Sequence, residues 1–512
     1  MTSAADIQRG LQAYAQAQAL HRERKYAQAA ELYKRALACM PDHPHVIAGY
    51  AQLAEDVRDW AGAEKLFRRL GTLRPDVDYQ AHLGLALYRQ QRFADAIPLF
   101  ETHLARQPRD ADVMHALATC LYATGRWEEG LARAQAAMAL KPDEDRTDAV
   151  LNGLYHLGRS DELDAQLASA LRQFPESRAI RSMNAQHRLK SGDHDAGFRY
   201  FADFRWRNHL DLPDDAGMPG EAWDGRRFDG TLLVVAEQGL GDEIMMSSML
   251  EDLVAMGQRA IVECDPRLLP LFARSFPQLQ FVPRHRQQLQ QAFAAGGGTG
   301  FKRVNALDIG GFFRRDAARF PARARWLQAD APRAAALRAD YHGRWPGKKL
   351  VGISWKSSRR LEGDADKSFA LADFAPLLQR DDVVAICLQY GEVRAEIDAL
   401  HAAGNGRLFV DERIDASNDI DGLAAQIAAL DAVVTTSNTT AHVAGALGVP
   451  CLVLLPRTWP VLWYWGYRGE RTPWYPSLRL LRNESDTDRR ALLQRAATLL
   501  PDLWASPVEP VA

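Results

Sequence analysis

Cysteine is scarce in this chain of 512 residues, and the five that occur are too far apart to form a C-x-x-C pair. This spacing favours neither a disulfide framework nor a zinc knuckle, and it fits a reducing compartment. The histidines are scattered as well. The closest pair, His43 and His45, has no third metal ligand nearby in the sequence. We therefore predict no metal site.

An excess of one charge is also missing. Lys and Arg number 63 and Asp and Glu 65, which gives a formal net charge of -2. The chain therefore has no global field to attract nucleic acid or an anionic membrane, and polyanion binding is not predicted as its main function. The composition, with 47% hydrophobic and 25% charged residues, is typical of folded globular domains, and the length predicts roughly three of them.

Apolar runs long enough to cross a membrane are absent too. The best one, Val443 to Leu455, is short and contains Pro450. The N-terminus lacks the basic start and apolar core of a signal peptide. We expect a cytoplasmic protein without a membrane span.

Proline, by contrast, recurs every 33 or 34 residues in the first third of the chain. The repeating prolines are Pro41, Pro75, Pro108, Pro142 and Pro175. About twelve residues before each proline stands a small or apolar residue, and eight before it a second one; they share a helical face because they are four apart. These positions are Ala29, Ala63, Ala96, Gly130 and Leu163, and Tyr33, Phe67, Phe100, Ala134 and Leu167.

Such a pattern predicts pairs of helices that pack closely through small residues and end at a proline. It resembles the tetratricopeptide repeat over residues 1 to 205, with five units and a sixth that decays after Tyr200. The resemblance implies a concave groove that binds a peptide or protein and catalyses nothing itself. In the alternative, the array only dimerises or supports a neighbouring domain.

A different architecture follows a linker rich in Pro and Gly, which we place at residues 206–230. Buried strands then alternate with helices, which predicts two Rossmann-like halves with parallel sheets, residues 231–345 and 346–512. The fold class is therefore α plus α/β. The predicted strands are residues 231–236, 260–264, 279–282, 349–355, 383–389, 432–436 and 450–455.

The loop Ser437 to Gly448 follows the strand 432–436 and opens a helix of small residues. Free backbone N–H groups and the positive helix end favour a phosphate or diphosphate there, although Ser437 or Thr439 can equally cap the helix. Two other loops end neighbouring strands. The loop after the strand 349–355 carries Lys356 and Ser357. Gln389 ends the strand 383–389, where the base or ribose of a nucleotide would lie. The alternative for the lysine is a solvated surface group.

In the first half, a glycine loop follows the strand 231–236. It lacks the third glycine of the dinucleotide fingerprint, so a nicotinamide site is not supported. Gly239 and Gly241 let the backbone approach a ligand, and Asp242 either accepts a proton from an acceptor hydroxyl or caps the helix. Glu237 is the other carboxylate on this loop.

Aromatic residues crowd the region near the C-terminus, in Trp459 to Tyr467 and in Trp474 to Ser477. Their rings can stack on a sugar or a base, or they can fill a domain interface. The sequence leaves both interpretations open.

Together, the Gly241-Asp242 loop, the strand-loop Gly352 to Lys356, the Ser437 to Gly448 loop and the Trp474 to Ser477 segment resemble a two-domain (GT-B) glycosyltransferase of the heptosyltransferase-like group. The form is the one fused behind tetratricopeptide repeats in bacteria, and it is similar to protein glycosyltransferases that modify flagellin. The chain departs from the family at Thr436-Ser437-Asn438, where the family more often has an Asp.

The resemblance implies that Asp242 is the general base and that Lys356 neutralises the leaving phosphate. It further implies a nucleotide-sugar substrate, no metal and no separate cofactor, and a protein acceptor, such as flagellin, held by the repeats. We assign Glu237, Gly239 and Gly241 to the acceptor side, and Ser357, Gln389, Ser437, Asn438, Thr439, Thr440 and His442 to the donor. The rival hypotheses are a catalytically inactive interaction protein and a transferase that acts on lipid or polysaccharide.

Overall fold

The computed structural model describes residues 3–201, 221–284, 291, 300–357, 367–404, 407–456, 461–483 and 489–505. The chain forms two compact units, Met1–Leu163 and Asp164–Ala512. Each unit is described by itself.

Helices follow one another from the N-terminus, as the repeat pattern predicts, and each proline of the pattern lies two residues beyond the second helix of a pair. The helices are α1 (Ala4–Arg22), α2 (Tyr26–Cys39), α3 (Pro44–Asp56), α4 (Trp60–Leu73), α5 (Gln80–Arg89), α6 (Phe93–Arg106), α7 (Ala111–Ala123), α8 (Trp127–Leu140), α9 (Glu144–His156), α10 (Ser160–Gln173), α11 (Arg178–Ser191) and α12 (His194–Arg199).

The small and aromatic positions of the repeat are buried between the helices. Ala29, Ala63 and Ala96 are fully buried, and Tyr33 and Phe100 are only 1% exposed. Small side chains at the first set of positions let the helices approach, so the larger ones at the second set can fill the space between them. The predicted repeat packing is confirmed at these positions.

The turn between the two helices of each pair contains one residue with a left-handed backbone. Its φ lies between 59° and 90° in all six turns, at Arg24, Arg58, Gln91, Gly125, Gly158 and Gly192. Glycine adopts this conformation without strain, whereas Arg and Gln carry a steric cost there. The first three turns are therefore more strained than the last three.

Helices α11 and α12 belong to the second unit, although the sequence pattern assigns them to the repeats. His187 contacts the hydroxyl of Tyr467 at 2.9 Å through Nδ1. The ring of Phe198 packs on Gly310, where a Cβ would come within 2.2 Å of it. The two compact units thus divide before residue 164, and the predicted boundary at residue 205 falls outside the described residues.

Two parallel sheets form the centre of the second unit. The first has the order β1-β5-β2-β3-β4 and the second the order β11-β10-β9-β6-β7-β8, and every neighbouring pair is parallel. The strands are β1 (Glu221–Ala222), β2 (Thr231–Val235), β3 (Arg259–Cys264), β4 (Gln280–Pro283), β5 (Phe301–Asn305), β6 (Lys349–Ser354), β7 (Val383–Cys387), β8 (Leu408–Phe409), β9 (Ala432–Thr436), β10 (Cys451–Leu455) and β11 (Leu478–Arg482). The seven predicted strands are present, and β1, β5, β8 and β11 are additional to them.

Helices connect the strands of both sheets. They are α13 (Leu240–Ser247), α14 (Leu250–Ala255), α15 (Leu269–Ser275), α16 (Gly310–Phe313), α17 (Ala331–Arg344), α18 (Ala375–Leu378), α19 (Arg394–Ala402), α20 (Ile420–Ala428), α21 (Thr439–Leu447) and α22 (Arg489–Ala505).

Each sheet reverses its strand order once. In the first sheet the reversal lies between β2 and β5, and in the second between β6 and β9. In open parallel sheets, ligands bind outside the carboxyl ends of the strands at such a switch point. The loops after β2 and β9, residues 237–242 and 437–440, stand at these places; we call them the first loop and the second loop.

Candidate functional site

The second loop is organised by Asn438, the N-cap of α21. Its Oδ1 accepts hydrogen bonds from the Thr440 N–H and from the Thr435 hydroxyl, both at 3.0 Å. Its Nδ2 donates to the Ser354 hydroxyl at 2.8 Å and to the Lys356 carbonyl at 3.0 Å. Asn438 therefore connects the ends of β6 and β9, and its carboxamide is engaged within the protein.

The hydroxyl groups of the second loop differ in their surroundings. Ser437 accepts a hydrogen bond from the indole Nε1 of Trp465 at 2.8 Å. Thr439 is half-buried. Thr440 is fully buried, and its hydroxyl has no hydrogen-bond partner. An unpaired buried hydroxyl is unfavourable, so a hydroxyl in the first turn of a nine-residue helix is a candidate ligand of an anion.

Gln389 shapes the loop that follows β6. Its Oε1 accepts from the Ser354 hydroxyl at 2.9 Å and from the backbone N–H groups of Trp355 and Lys356 at 2.7 Å. Its Nε2 donates to the Tyr390 carbonyl at 2.9 Å. Gln389 is thus buried behind the loop, and its side chain fixes the backbone of Trp355 and Lys356 by hydrogen bonds.

Lys356 pairs with Glu396 on α19, and Glu396 also accepts from the indole Nε1 of Trp355 at 3.1 Å. The Lys356 side chain is 38% exposed. The backbone N–H of Ser357 donates to the Ser368 hydroxyl at 3.3 Å. Sequence reasoning missed Glu396, because forty positions separate it from Lys356 and nothing in its neighbourhood marks it.

The first loop is tied at several points to its surroundings. Gly239 is the N-cap of α13, and its N–H donates to the Asp242 carboxylate at 3.4 Å. Glu237 is 2% exposed and accepts from the Leu307 N–H at 2.8 Å, which links the ends of β2 and β5. Asp242 is therefore not the N-cap; from the third position of α13 it accepts a hydrogen bond from the N–H of the N-cap residue.

The first loop approaches the helix α21, which the second loop opens, at His442. A Cβ built on Gly241 would lie 2.7 Å from Cδ2 and 2.9 Å from Nε2 of the imidazole. Only a glycine allows α13 to sit this close to the His442 ring. The predicted acceptor-side glycine and the predicted donor-side histidine are thus in direct contact.

Two tyrosines surround the imidazole. Nδ1 of His442 lies 2.6 Å from the Tyr475 hydroxyl, and Nε2 lies 3.3 Å from the Tyr464 hydroxyl. Burial lowers the pKa of His442 to about 3, so the ring is neutral. Burial, and after it the negative charge of Asp242, raises the pKa of each tyrosine well above its usual value. A neutral hydrogen-bonded cluster therefore lies beside the Asp242 carboxylate.

Glu243 follows Asp242 in the chain but differs from it in environment. It is 5% exposed, and burial raises its pKa to about 7. Its carboxylate accepts from the Asp265 N–H at 2.8 Å and lies 3.4 Å from Nη1 of Arg284. Sequence reasoning missed Glu243. The signal that could have found it is its place directly after Asp242, at the start of an amphipathic helix.

The aromatic residues near the C-terminus fill space inside the second unit. Trp463, Tyr464, Trp465, Trp474 and Tyr475 are each at most 5% exposed. Trp463 and Trp474 meet edge to face at 5.5 Å. In the described part of this region the rings pack against protein, and Trp459 and Pro460 lie outside it.

The comparisons with known proteins cover both parts of the chain. Residues 20–85 and 87–152 match the tetratricopeptide repeat family, as the proline spacing predicts. Protein FlbA of Caulobacter vibrioides (strain ATCC 19089 / CIP 103742 / CB 15) is 31% identical over 503 residues, which are 94% of this chain and 82% of that protein. The chain belongs to the FlbA family. The match to FlbA spans the α/β unit of this family member as well as its repeats.

One third of the FlbA-family chain is similar to solved repeat proteins. The crystal structure of YrrB, a TPR protein with an unusual peptide-binding site, is 17% identical over 33% of this chain and 88% of its own, with a TM-score of 0.30. MamA AMB-1 is 19% identical over 33% and 93%, with a TM-score of 0.31.

Two further findings concern the described residues of the FlbA-family chain. None of their helices combines the length and the hydrophobicity that crossing a membrane requires. Nor do they contain a group of three or more His, Cys, Asp or Glu side chains that could hold a metal ion.

Proposed function

We propose that this protein is a GT-B glycosyltransferase that moves a sugar from a nucleotide-sugar donor to a hydroxyl of a protein acceptor. The contact between Gly241 and His442 carries the proposal, because it brings the switch-point loops of two parallel sheets to one place. A transferase with two Rossmann-like halves needs such a meeting point for donor and acceptor.

In the proposed reaction, Asp242 takes the proton from the acceptor hydroxyl. The hydroxyl oxygen forms a bond to the anomeric carbon of the sugar, and the bond from that carbon to the phosphate oxygen breaks with its electron pair leaving on the nucleotide. The acceptor proton ends on the Asp242 carboxylate. No cofactor is consumed.

The leaving phosphate is placed at the first turn of α21 in this proposal. The helix end and the unpaired Thr440 hydroxyl would bind it, and Lys356 would supply a positive charge once it leaves Glu396. The charge on the leaving group is then met by protein groups alone. Asn438 and Gln389 hold this arrangement from inside.

The repeats are proposed to bind the protein acceptor, because tetratricopeptide repeats are protein-interaction modules. Flagellin is the acceptor that the family resemblance suggests. Residues 160–512, which keep α10 whole and contain the second compact unit, should then still bind the donor but lose transfer to the protein. A transferase that acts on lipid or polysaccharide would not need the repeats.

A second candidate function is an inactive interaction protein. It is favoured by the internal hydrogen bonds of Asn438, Ser437 and Gln389, which leave few side chains of the second loop for a ligand. In that case, the α/β unit would keep the fold without binding a nucleotide.

Thermal unfolding in the presence of nucleotides and nucleotide sugars separates the two candidates. A ligand at 100 times its Kd should stabilise the transferase by about 2.7 kcal/mol, and it should leave the interaction protein unchanged. Thr440→Val is the matched variant, since it keeps the shape but removes the hydroxyl. Loss of protection in a folded Thr440→Val protein supports the phosphate site, and full protection places the phosphate elsewhere.

A further inference from the structure

Gln238 combines two unfavourable features at one position of the first loop. Its φ is +65°, and of the residues that the structure describes, only three others besides glycine have a positive φ, all of them in repeat turns. Its side-chain Nε2 is buried and has no hydrogen-bond partner. A non-glycine residue in this backbone conformation and an unpaired buried amide each cost stability.

The neighbours of Gln238 explain why the strained backbone persists. The Ala236 N–H donates to Glu263 at 3.1 Å, and the Glu237 carboxylate holds the Leu307 N–H at 2.8 Å. The Gln238 carbonyl itself accepts from Nη1 of Arg284 at 2.7 Å. The backbone is therefore fixed from both sides, whereas no described residue accepts a hydrogen bond from Nε2 of the carboxamide.

We infer that Gln238 is a substrate-binding residue that donates its carboxamide N–H to an oxygen of the protein acceptor, beside the hydroxyl that Asp242 deprotonates. The inference rests on the proposed function. Because Nε2 of Gln238 has no partner among the described residues, turning it toward a ligand breaks no hydrogen bond of that N–H group, and the residue is partly exposed. Its place four residues before Asp242 on the same loop assigns it to the acceptor.

The chemistry of the carboxamide defines the group that it recognises. An amide N–H needs an oxygen acceptor, which a peptide carbonyl or a serine or threonine hydroxyl supplies. A site built to donate a hydrogen bond rejects analogues that lack the oxygen. Gln238 would therefore select acceptors by an oxygen next to the reacting hydroxyl.

Gln238→Gly tests the inference, because it removes the carboxamide and also relieves the positive φ. We expect the melting temperature to stay equal or to rise, while the KM for the acceptor increases about tenfold, the effect of one lost hydrogen bond. The KM for the nucleotide sugar should not change. Gln238→Glu keeps the size without the N–H donors and should raise the acceptor KM as well.

The repeats offer a matched control. Gln91 is also a glutamine with positive φ, at 60°, and the equivalent turns contain Gly125 and Gly158. Gln91→Gly should give the same relief of strain, measured by the melting temperature, and leave the KM for the nucleotide sugar unchanged.

The assay uses the full chain, purified flagellin as acceptor and the nucleotide sugar that gives the largest thermal protection. An unchanged acceptor KM in Gln238→Gly, a lower melting temperature, or a rise in the donor KM instead would each overturn the inference while leaving the transferase intact. If the wild-type protein transfers no sugar, the proposed function fails and this inference fails with it.

Discussion

The first and second loops occupy equivalent places in their sheets, but they differ in how their polar side chains are hydrogen-bonded. In the second loop, Asn438 uses both ends of its carboxamide inside the protein. In the first loop, Nε2 of Gln238 has no hydrogen-bond partner among the described residues, and the backbone of this residue is strained. The second loop is therefore a platform held by Asn438, with the Thr440 hydroxyl as its unpaired group, whereas the first loop combines an unpaired amide N–H group with a strained backbone.

Asp242→Asn should impair the protein most, through loss of sugar transfer. Asn keeps the size and can still accept from the Gly239 N–H, but it cannot take a proton. We expect transfer to fall by about 10²-fold or more with an unchanged melting temperature and unchanged donor affinity. Near-normal transfer by the folded variant would show that Asp242 is a cap only, and would make Glu237 the next base to test.

Asn438→Ala should disrupt the platform of the second loop. The variant loses the helix cap and leaves the Thr435 hydroxyl and the Lys356 carbonyl without this partner, so we expect the free energy of unfolding to fall by about 3 kcal/mol. Denaturant unfolding measures it. The neighbouring Thr439→Ala, at a half-buried position, serves as the control and should cost about 0.5 kcal/mol or less. Equal losses in the two variants would contradict the role of Asn438.

Glu243→Gln tests the acidic side of the first loop through pH. Burial raises the pKa of Glu243 from 4.5 to about 7, so between these values the folded protein binds a proton that the unfolded chain has lost. The free energy of unfolding therefore decreases as the pH rises from about 4.5 to 7, by at most about 3 kcal/mol. Gln cannot ionise, and the variant should lack this decrease. Melting temperatures of both proteins at pH 5 and pH 8 measure it, and parallel pH dependence would be evidence against the buried carboxyl.

Glu396→Gln should have the smallest effect. The variant loses the carboxylate that competes for Lys356, so the donor should bind about two- to fivefold more tightly, as expected for a partly exposed ion pair. Isothermal titration with the nucleotide sugar measures the affinity. Asp398→Asn, on the same helix but paired with Arg394, is the control and should change nothing. Weaker donor binding in Glu396→Gln would instead show that Glu396 orients the lysine.

Local patterns in the sequence were enough to predict much of the fold. Proline spacing and the small and aromatic positions predicted the helix pairs, and apolar runs predicted seven strands of the two sheets. The strands that escaped prediction are short, as in β1 and β8, or have arginines among their apolar residues, as in Leu478–Arg482. Their strand character comes from pairing with a neighbour, which a single sequence does not display.

The candidate site was predictable only in part, because its decisive contacts join distant residues. The sequence placed Gly241 and His442 on separate loops, and their contact depends on the packing of α13 near α21. Glu396 and Tyr464 carry no local signature, since ion pairs and ring contacts form across the fold. The sequence marks the loop around Gln238 through its glycines and carboxylates, but a positive φ at Gln238 is not visible in composition.

The last two repeat helices, α11 and α12, have a consequence for how such proteins are assembled from parts. A recombination point chosen from the repeat period would fall after residue 200 and would separate Phe198 from Gly310 and His187 from Tyr467. A point just before Ser160, where α10 begins, keeps these contacts together and leaves α10 whole. The final helices then stay with the α/β unit, and repeat arrays of other lengths can be joined to them without disturbing it.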